Sequence, residues 1–243
     1  RGDFKSATVI VKRNDGAAMS RFKYLSYKIS KGVKPLEGMP CVRRGDETLT
    51  VTLKDDFSDT EIDLNYIVSE DTDVLVRNAT LRNVGKECVD IIKAFSFCID
   101  LPDLGNLFAL RLAGNWAAER RPVITPLQEG MLRIESTRGH SSHTMNPFIA
   151  ILGENCNENF GECYGFALLY SGSFALTAER SWHQRTRIQG GINDYMFGWK
   201  LNSGESFQTP QTALCYSAQG LGEMSREYHD FFREYIIAPE KVY

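Results

Sequence analysis

The chain has 243 residues, of which 42% are hydrophobic and 24% are charged, and its formal net charge at pH 7 is -3. A chain of this length can bury a full hydrophobic core, and all-β domains of this size often remain undivided. The slightly negative charge offers no basic field for phosphate groups, which argues against a nucleic-acid partner. No apolar run reaches the roughly 18 residues that a membrane-spanning helix needs, so we expect no membrane partner either.

Strand-forming runs follow one another along most of the chain. "SATVIVKR" and "SRFKYLSYKI" are rich in β-branched and aromatic residues, and the "NDGAAM" between them is a hairpin signal. The same period-two alternation continues through "TLTVTL", "EIDLNYIV" and "VDIIKAFSFCIDL", and it resumes from "PFIAIL" to "TALCYSAQ". This rhythm predicts one antiparallel, two-sheet β-sandwich over residues 1–220, with no linker that would divide it.

One segment near the end of the chain departs from the strand period. In "LGEMSREYHDFFREYII" the large apolar residues recur at helical spacing: Leu221, Met224, Tyr228, Phe231, Phe232, Tyr235 and Ile236. We therefore predict one amphipathic helix near residues 222–237, and we expect residues 221–243 to form this helix and a linker.

Six cysteines are dispersed along the chain without a CxxC pair: Cys41, Cys88, Cys98, Cys156, Cys163 and Cys215. The first residues, "RGDFKSATVIV", contain no secretory apolar segment, so we expect reduced thiols and a cytoplasmic protein. Cys156 and Cys163 bracket "NENFGE" and would meet across a hairpin, so their pairing stays an open question.

The segment "RGHSSHTMNPF" places His140 and His143 three residues apart. On a helix this spacing would present two imidazoles to a zinc ion, but Gly139 and Pro147 disfavour a helix and no third ligand is apparent. A metal site is therefore not predicted. We expect the two histidines and Asn146 to hydrogen bond backbone groups of an irregular loop.

The remaining acids and histidines form no pattern that assigns them a role. The glutamates are interpreted mostly as solvated strand ends. A retaining glycosidase needs two carboxylates about 5 Å apart, and a sequence cannot show such a separation. These glutamates are Glu135, Glu154, Glu158, Glu162, Glu179 and Glu205. His183, which follows Trp182, is interpreted as a packing residue.

A tryptophan stands at the end of a predicted strand in "GNWAAERRPV". The strand "LFALRLA" ends at Gly114 and Asn115, so the indole of Trp116 is expected outside the sheet core. A flat aromatic face suits the C–H faces of a sugar, and Arg120 and Arg121 would add donors for sugar hydroxyls. The alternative is that Trp116 packs on the rim of the sandwich.

Several long motifs together carry a family resemblance. "LAGNWAAERRPV", "RGHSSHTMNPF", "GECYGFALLYSGSFALTAE" and "GESFQTP" occur in order between the initial "RGDF" and the final helix. Over essentially the whole chain, the sequence resembles the amino-terminal domain of the α-galactosidases of glycoside hydrolase family thirty-six. The resemblance implies an all-β fold, a galactose-mutarotase-like β-supersandwich with one carboxy-terminal α-helix, here lacking the family's first strands.

The resemblance also implies a function for the parent protein. Enzymes of the family hydrolyse terminal α-galactosides of the melibiose and raffinose type by a retaining mechanism, with both catalytic carboxylates in a (β/α)8 barrel of ~250 residues. That barrel is expected to be absent here, so the chain should contain no catalytic residue and should be inactive alone. No metal or organic cofactor is implied, and similar enzymes are homotetramers.

The family's substrate-contacting tryptophan, in the pattern "GAWxRER", falls on Trp116, and Arg120 is the secondary candidate for a substrate contact. Asn115 and Ala118 depart from the pattern, so the subsite preference does not follow from it.

Two other functions are kept as alternatives. A free-standing carbohydrate-binding module would use the same Trp116, whereas an aldose-epimerase-like enzyme would use His140 or His143 with a glutamate.

Overall fold

The computed structural model describes residues 4–237, which form sixteen strands and one carboxy-terminal helix. The strands are β1 (Val9–Arg13), β2 (Lys23–Lys31), β3 (Glu47–Asp55), β4 (Thr60–Val68), β5 (Leu75–Asn83), β6 (Val89–Leu101), β7 (Leu107–Asn115), β8 (Ala118–Pro126), β9 (Gly130–Glu135), β10 (Met145–Gly153), β11 (Cys163–Leu169), β12 (Phe174–Arg180), β13 (Thr186–Ile192), β14 (Trp199–Leu201), β15 (Ser206–Gln208) and β16 (Gln211–Ser217). The helix α1 spans Gly220–Phe231 and continues as a π-helical turn over Phe232–Ile236.

Two antiparallel sheets contain all of these strands. The smaller has six strands in the order β1-β6-β13-β12-β9, with β14 paired to β6. The larger has ten in the order β2-β3-β4-β5-β16-β11-β10-β7-β8, with β15 paired to β5. The predicted antiparallel two-sheet sandwich is confirmed, and β16 lies in the middle of the larger sheet although it is the last strand in sequence.

The centre of the larger sheet is buried on both faces. On β10, Ile149 and Ile151 belong to the apolar cluster between the two sheets, whereas Ala150 and Leu152 belong to the cluster beneath α1. Successive side chains of a strand point to opposite faces, so a strand between two layers needs apolar residues at every position. This explains the unbroken apolar run in "PFIAIL".

The helix α1 packs on the face of the larger sheet that points away from the smaller one. Met224, Tyr228 and Phe231 are buried against this face, as the helical spacing predicts. The α-helix begins earlier than expected and gives way to the π-helical turn, in which the N–H of Ile237 donates to the carbonyl oxygen of Phe232. The predicted linker, residues 238–243, lies outside the described residues.

None of the helices formed by residues 4–237 is long and apolar enough to cross a membrane.

Candidate functional site

Trp116 lies at the tip of the hairpin formed by β7 and β8. Asn115 and Ala118 pair at the end of this hairpin, so Trp116 and Ala117 alone form the turn. The tryptophan is 82% exposed. Because so exposed a side chain contributes little packing, the structure gives Trp116 no evident role in closing the rim of the sandwich.

Short-range hydrogen bonds hold the turn that presents the indole. The N–H of Trp116 donates to Asn115 Oδ1 over 2.9 Å, and the N–H of Ala117 donates to Glu119 Oε1 over 3.1 Å. Ala117 and Arg120 have φ angles of 60° and 56°, in the left-handed region that non-glycine residues rarely adopt. The two hydrogen bonds therefore stabilise a backbone path that these residues would not favour alone.

Gly114 anchors the hairpin to a neighbouring loop. Its N–H donates to the carbonyl oxygen of Thr144 over 3.1 Å, at a point where the pairing of β7 with β8 is irregular. A Cβ atom at position 114 would lie 2.7 Å from the carbonyl oxygen of Ala118 and 2.8 Å from that of His143. Only glycine fits between these backbones, which explains the residue that precedes "NW" in the sequence.

The neighbouring loop, residues 136–144, contains the two histidines singled out from the sequence. His140 Nδ1 lies 2.9 Å from the carbonyl oxygen of Ser141, and the hydroxyl of Ser136 donates to the carbonyl oxygen of His140 over 2.6 Å. The side chains of His143 and Asn146 form no hydrogen bond with a described residue. The expectation that all three side chains bond the backbone is therefore wrong for His143 and Asn146, because backbone groups and serines hold the loop instead.

The hairpin tip presents both an apolar ring and charged donors. Arg120 and Arg121 lie on β8, an edge strand of the larger sheet, shortly after Trp116 in the chain, and both are exposed. An indole face next to guanidinium groups can cover the C–H face of a sugar ring and donate hydrogen bonds to its hydroxyls.

The other candidates from the sequence form no metal site in the part of the chain that the structure describes. Within residues 4–237 no three His, Cys, Asp or Glu side chains are grouped so that they could hold a metal ion. Glu179 differs from the solvated carboxylates expected, since it is 4% exposed and accepts the backbone N–H groups of Lys5 and Ser6. The interpretation of His183 as a packing residue is wrong, because His183 is exposed in a turn beside Trp182, which is itself 75% exposed.

All six cysteines are free thiols. Burial raises the pKa of Cys163 to about 12, and it also raises the pKa of Cys156. The two residues do meet across the β10–β11 hairpin, and they are unpaired in this structure.

A polar concavity that no single motif of the sequence predicts lies on the helix-side face of β2–β5. Polar residues recur there with period two, as Lys28 and Ser30 on β2 and as Asn78 and Thr80 on β5. This alternation predicts strands, and its polar phase is also the sequence signal for the concavity.

Comparison with known families decides what kind of domain this is. Residues 1–202 match the model of the glycosyl hydrolase family 36 N-terminal domain. The chain belongs to this family. Membership accounts for the two-sheet architecture.

Relatives of this family 36 domain include characterised enzymes. The chain is 41% identical over 239 residues to α-galactosidase Mel36A of Lactobacillus acidophilus, covering 97% of the chain and 32% of the relative. The crystal structure of α-galactosidase AgaA from Geobacillus stearothermophilus superimposes with a TM-score of 0.93 at 36% identity, covering 97% of the chain and 33% of AgaA. Variants of AgaA were crystallised in complex with raffinose and with stachyose. The family 36 domain thus spans about a third of the length of these relatives.

Proposed function

We propose that this chain is the amino-terminal part of an α-galactosidase that hydrolyses terminal α-galactosides of the melibiose and raffinose type by a retaining mechanism. Membership of family 36 supports this proposal, together with the names of the relatives, which are α-galactosidases. In this proposal the catalytic carboxylates lie outside residues 4–237, and the reaction uses no cofactor or metal. We place the parent enzyme in the cytoplasm, consistent with six free thiols.

The part that this chain plays in substrate binding rests on Trp116. Its indole is exposed on a turn whose backbone is fixed by hydrogen bonds of Asn115, Glu119 and Gly114. These bonds restrict the movement of the turn that carries the ring. A preorganised aromatic face loses less conformational freedom when a ligand stacks on it. We propose that Trp116 forms one wall of the galactoside pocket in the assembled enzyme and that Arg120 donates to a sugar hydroxyl.

A second role proposed for the chain is assembly of a homotetramer. The edge strand β2 carries four large apolar side chains that are each more than half exposed, Tyr24, Leu25, Tyr27 and Ile29. An exposed apolar edge strand is a surface on which another chain can pack or pair. Light scattering of the parent protein should show an oligomer, and a strictly monomeric protein at high concentration would contradict this role.

The proposed activity is tested with two proteins and one substrate. The parent protein should release nitrophenol from an aryl α-galactoside with retention of anomeric configuration, and the 243-residue chain alone should release none. Turnover by the chain alone at a comparable rate would overturn the assignment of chemistry to another part of the parent protein. Inactivity of the parent protein on α-galactosides would overturn the enzyme assignment itself.

A further inference from the structure

The larger sheet has a polar groove in addition to the hairpin tip. We use "polar groove" for the concavity of about 430 Å³ between residues 34–36 and the helix-side face of β2–β5. Gln208 Nε2 donates to the carbonyl oxygen of Glu37 over 2.8 Å, which ties the segment that forms one wall to the sheet. The volume lies in the range of small-molecule sites, about 300–1,000 Å³.

A row of polar side chains forms the floor of the polar groove. Lys28 pairs with Thr50, Thr50 with Asn65, and Asn65 with Asn78, so these four residues line up across β2, β3, β4 and β5 on one face. Thr50 Oγ1 donates to Asn65 Oδ1 over 2.8 Å, which leaves the amide N–H groups of Asn65 available as donors. The row is thus a set of donors and acceptors open to the groove.

The charges that line the polar groove leave it positive. The one carboxylate in the lining, Asp63, is paired with Arg82. Lys28 and Lys34 line the groove as well, and neither ammonium forms an ion pair with a residue of the described range 4–237. Arg82 also pairs with Glu61, so two carboxylates share one guanidinium, and the two unpaired ammonium groups outnumber the one carboxylate charge that is left over. The groove therefore favours an anionic ligand.

Asn78 is the strongest sign that the polar groove takes a ligand. This residue lines the groove and is 2% exposed, yet its side-chain amide has no hydrogen-bond partner among the residues that the structure describes. Neither polar atom of this amide is among the fully buried, unpartnered atoms of the described residues, so the amide opens onto the groove, where water or a ligand can bond it.

We propose that the polar groove binds a small anionic sugar, either a sugar phosphate or a sugar acid, whose hydroxyls bond the amides of Asn65 and Asn78 and whose anionic group meets Lys28 and Lys34. Amide and hydroxyl groups suit a polyol, because each sugar hydroxyl both donates and accepts. The groove lining contains no aromatic residue, so a ligand recognised by ring stacking fits it poorly.

Calorimetric titration of the protein with galactose 1-phosphate, galacturonate, galactose and inorganic phosphate tests this. At least one of the two anionic sugars should bind, at least tenfold more tightly than galactose or phosphate. Binding of one and not the other identifies the anion. No binding of either at millimolar concentration overturns the proposal, and so does phosphate binding as tightly as the sugar phosphate, since the sugar hydroxyls would then contribute nothing.

Variants separate a ligand site from a structural feature. Lys28→Met with Lys34→Met should weaken binding at least tenfold, whereas Lys31→Met, the control on the opposite face of β2, should leave it unchanged. Asn78→Leu removes the unpartnered amide at similar volume, so it should abolish binding without lowering the melting temperature. Equal affinity in the lysine variant and in its control overturns the proposal. A large loss of melting temperature in Asn78→Leu would show that the amide serves the fold, and this also overturns it.

Discussion

The backbone N–H of Gly114 donates to the carbonyl oxygen of Thr144 over 3.1 Å, and this bond joins the hairpin that carries Trp116 to the loop of residues 136–144. The two segments approach so closely that a side chain at position 114 would overlap backbone atoms of both. The orientation of the exposed indole therefore depends on a contact made two residues earlier in the chain.

Substitution of this glycine should destabilise the protein. In Gly114→Ala the new methyl group would meet three backbone atoms at 2.7 to 2.8 Å, and relief of such overpacking costs about 1–3 kcal/mol. Gly198→Ala is the matched control, because a Cβ atom there meets nothing within 4 Å. Urea unfolding of both variants measures the difference, and equal stability would show that the hairpin and the loop can separate at little cost.

Truncation of the exposed indole should affect substrate binding and not stability. In the parent enzyme, Trp116→Ala should raise KM by about 5- to 150-fold, which corresponds to the loss of about 1–3 kcal/mol of sugar–aromatic contact. The free energy of unfolding should change by less than about 0.5 kcal/mol, because the side chain is 82% exposed. Trp182→Ala, at another exposed turn, serves as the control. A lowered melting temperature with unchanged KM would make Trp116 a structural residue.

The buried carboxylate of Asp55 should contribute stability that is lost in acid. Burial alone would raise the pKa of Asp55, but hydrogen bonds from Ser58 and from the N–H of Arg21 outweigh burial and hold this pKa below its ordinary value. A depressed pKa gives stability that is present above the unfolded value, near pH 4, and that disappears as pH falls through the folded value.

Two neighbouring substitutions isolate this effect. Asp55→Asn should cost about 1–3 kcal/mol at pH 7 and should flatten the fall of stability below pH 4, because the charged acceptor is gone. Asp56→Asn removes only an exposed pair with Lys23 and should cost no more than about 1 kcal/mol. Denaturant unfolding at pH 7 and at pH 3 compares the two, and equal losses in both variants would contradict the assignment.

Two buried thiols should make the protein sensitive to alkali. Burial raises the pKa of Cys163 and that of Cys215 to about 12 in each case. Above about pH 9 the thiols ionise in the unfolded chain but stay protonated in the folded one, so the unfolded state binds fewer protons and stability falls as pH rises towards 12. The slope for each thiol is at most about 1.4 kcal/mol per pH unit.

Removal of one buried thiol should reduce that slope. Tyr228, whose pKa burial also raises, adds a loss of the same sign and should remain in every variant. Cys163→Ala should therefore lower the pH dependence between pH 9 and 11 but not abolish it, whereas Cys88→Ala, at a half-buried site, should leave it as in the parent chain. Identical slopes in both variants would show that Cys163 ionises freely.

Local patterns in the sequence predicted the strands and the helix, but not which strands lie next to one another in the sheets. The face formed by Met224, Tyr228 and Phe231 is readable because helical spacing is a property of one segment. The place of β16 between β5 and β11 depends on contacts between distant segments, which alternation does not encode.

The same limit applies to the candidate sites. The exposure of Trp116 follows from a two-residue turn, which the glycine and asparagine before it indicated. The row from Lys28 to Asn78 crosses four strands, so no single segment of the sequence shows it.

The central place of β16 has a consequence for biosynthesis. Leu214 and its neighbours pair with β5 on one side and β11 on the other, so within the larger sheet the half formed by β2–β5 and the half formed by β7, β8, β10 and β11 are joined by β16, which is made after both of them. Until then, each half has an unpaired edge that other nascent chains can add to. Folding that depends on such distant pairing is slow. The larger sheet therefore stays in two parts until β16 is made, and a chain cut off before residue 211 contains two half-sheets with no strand to join them.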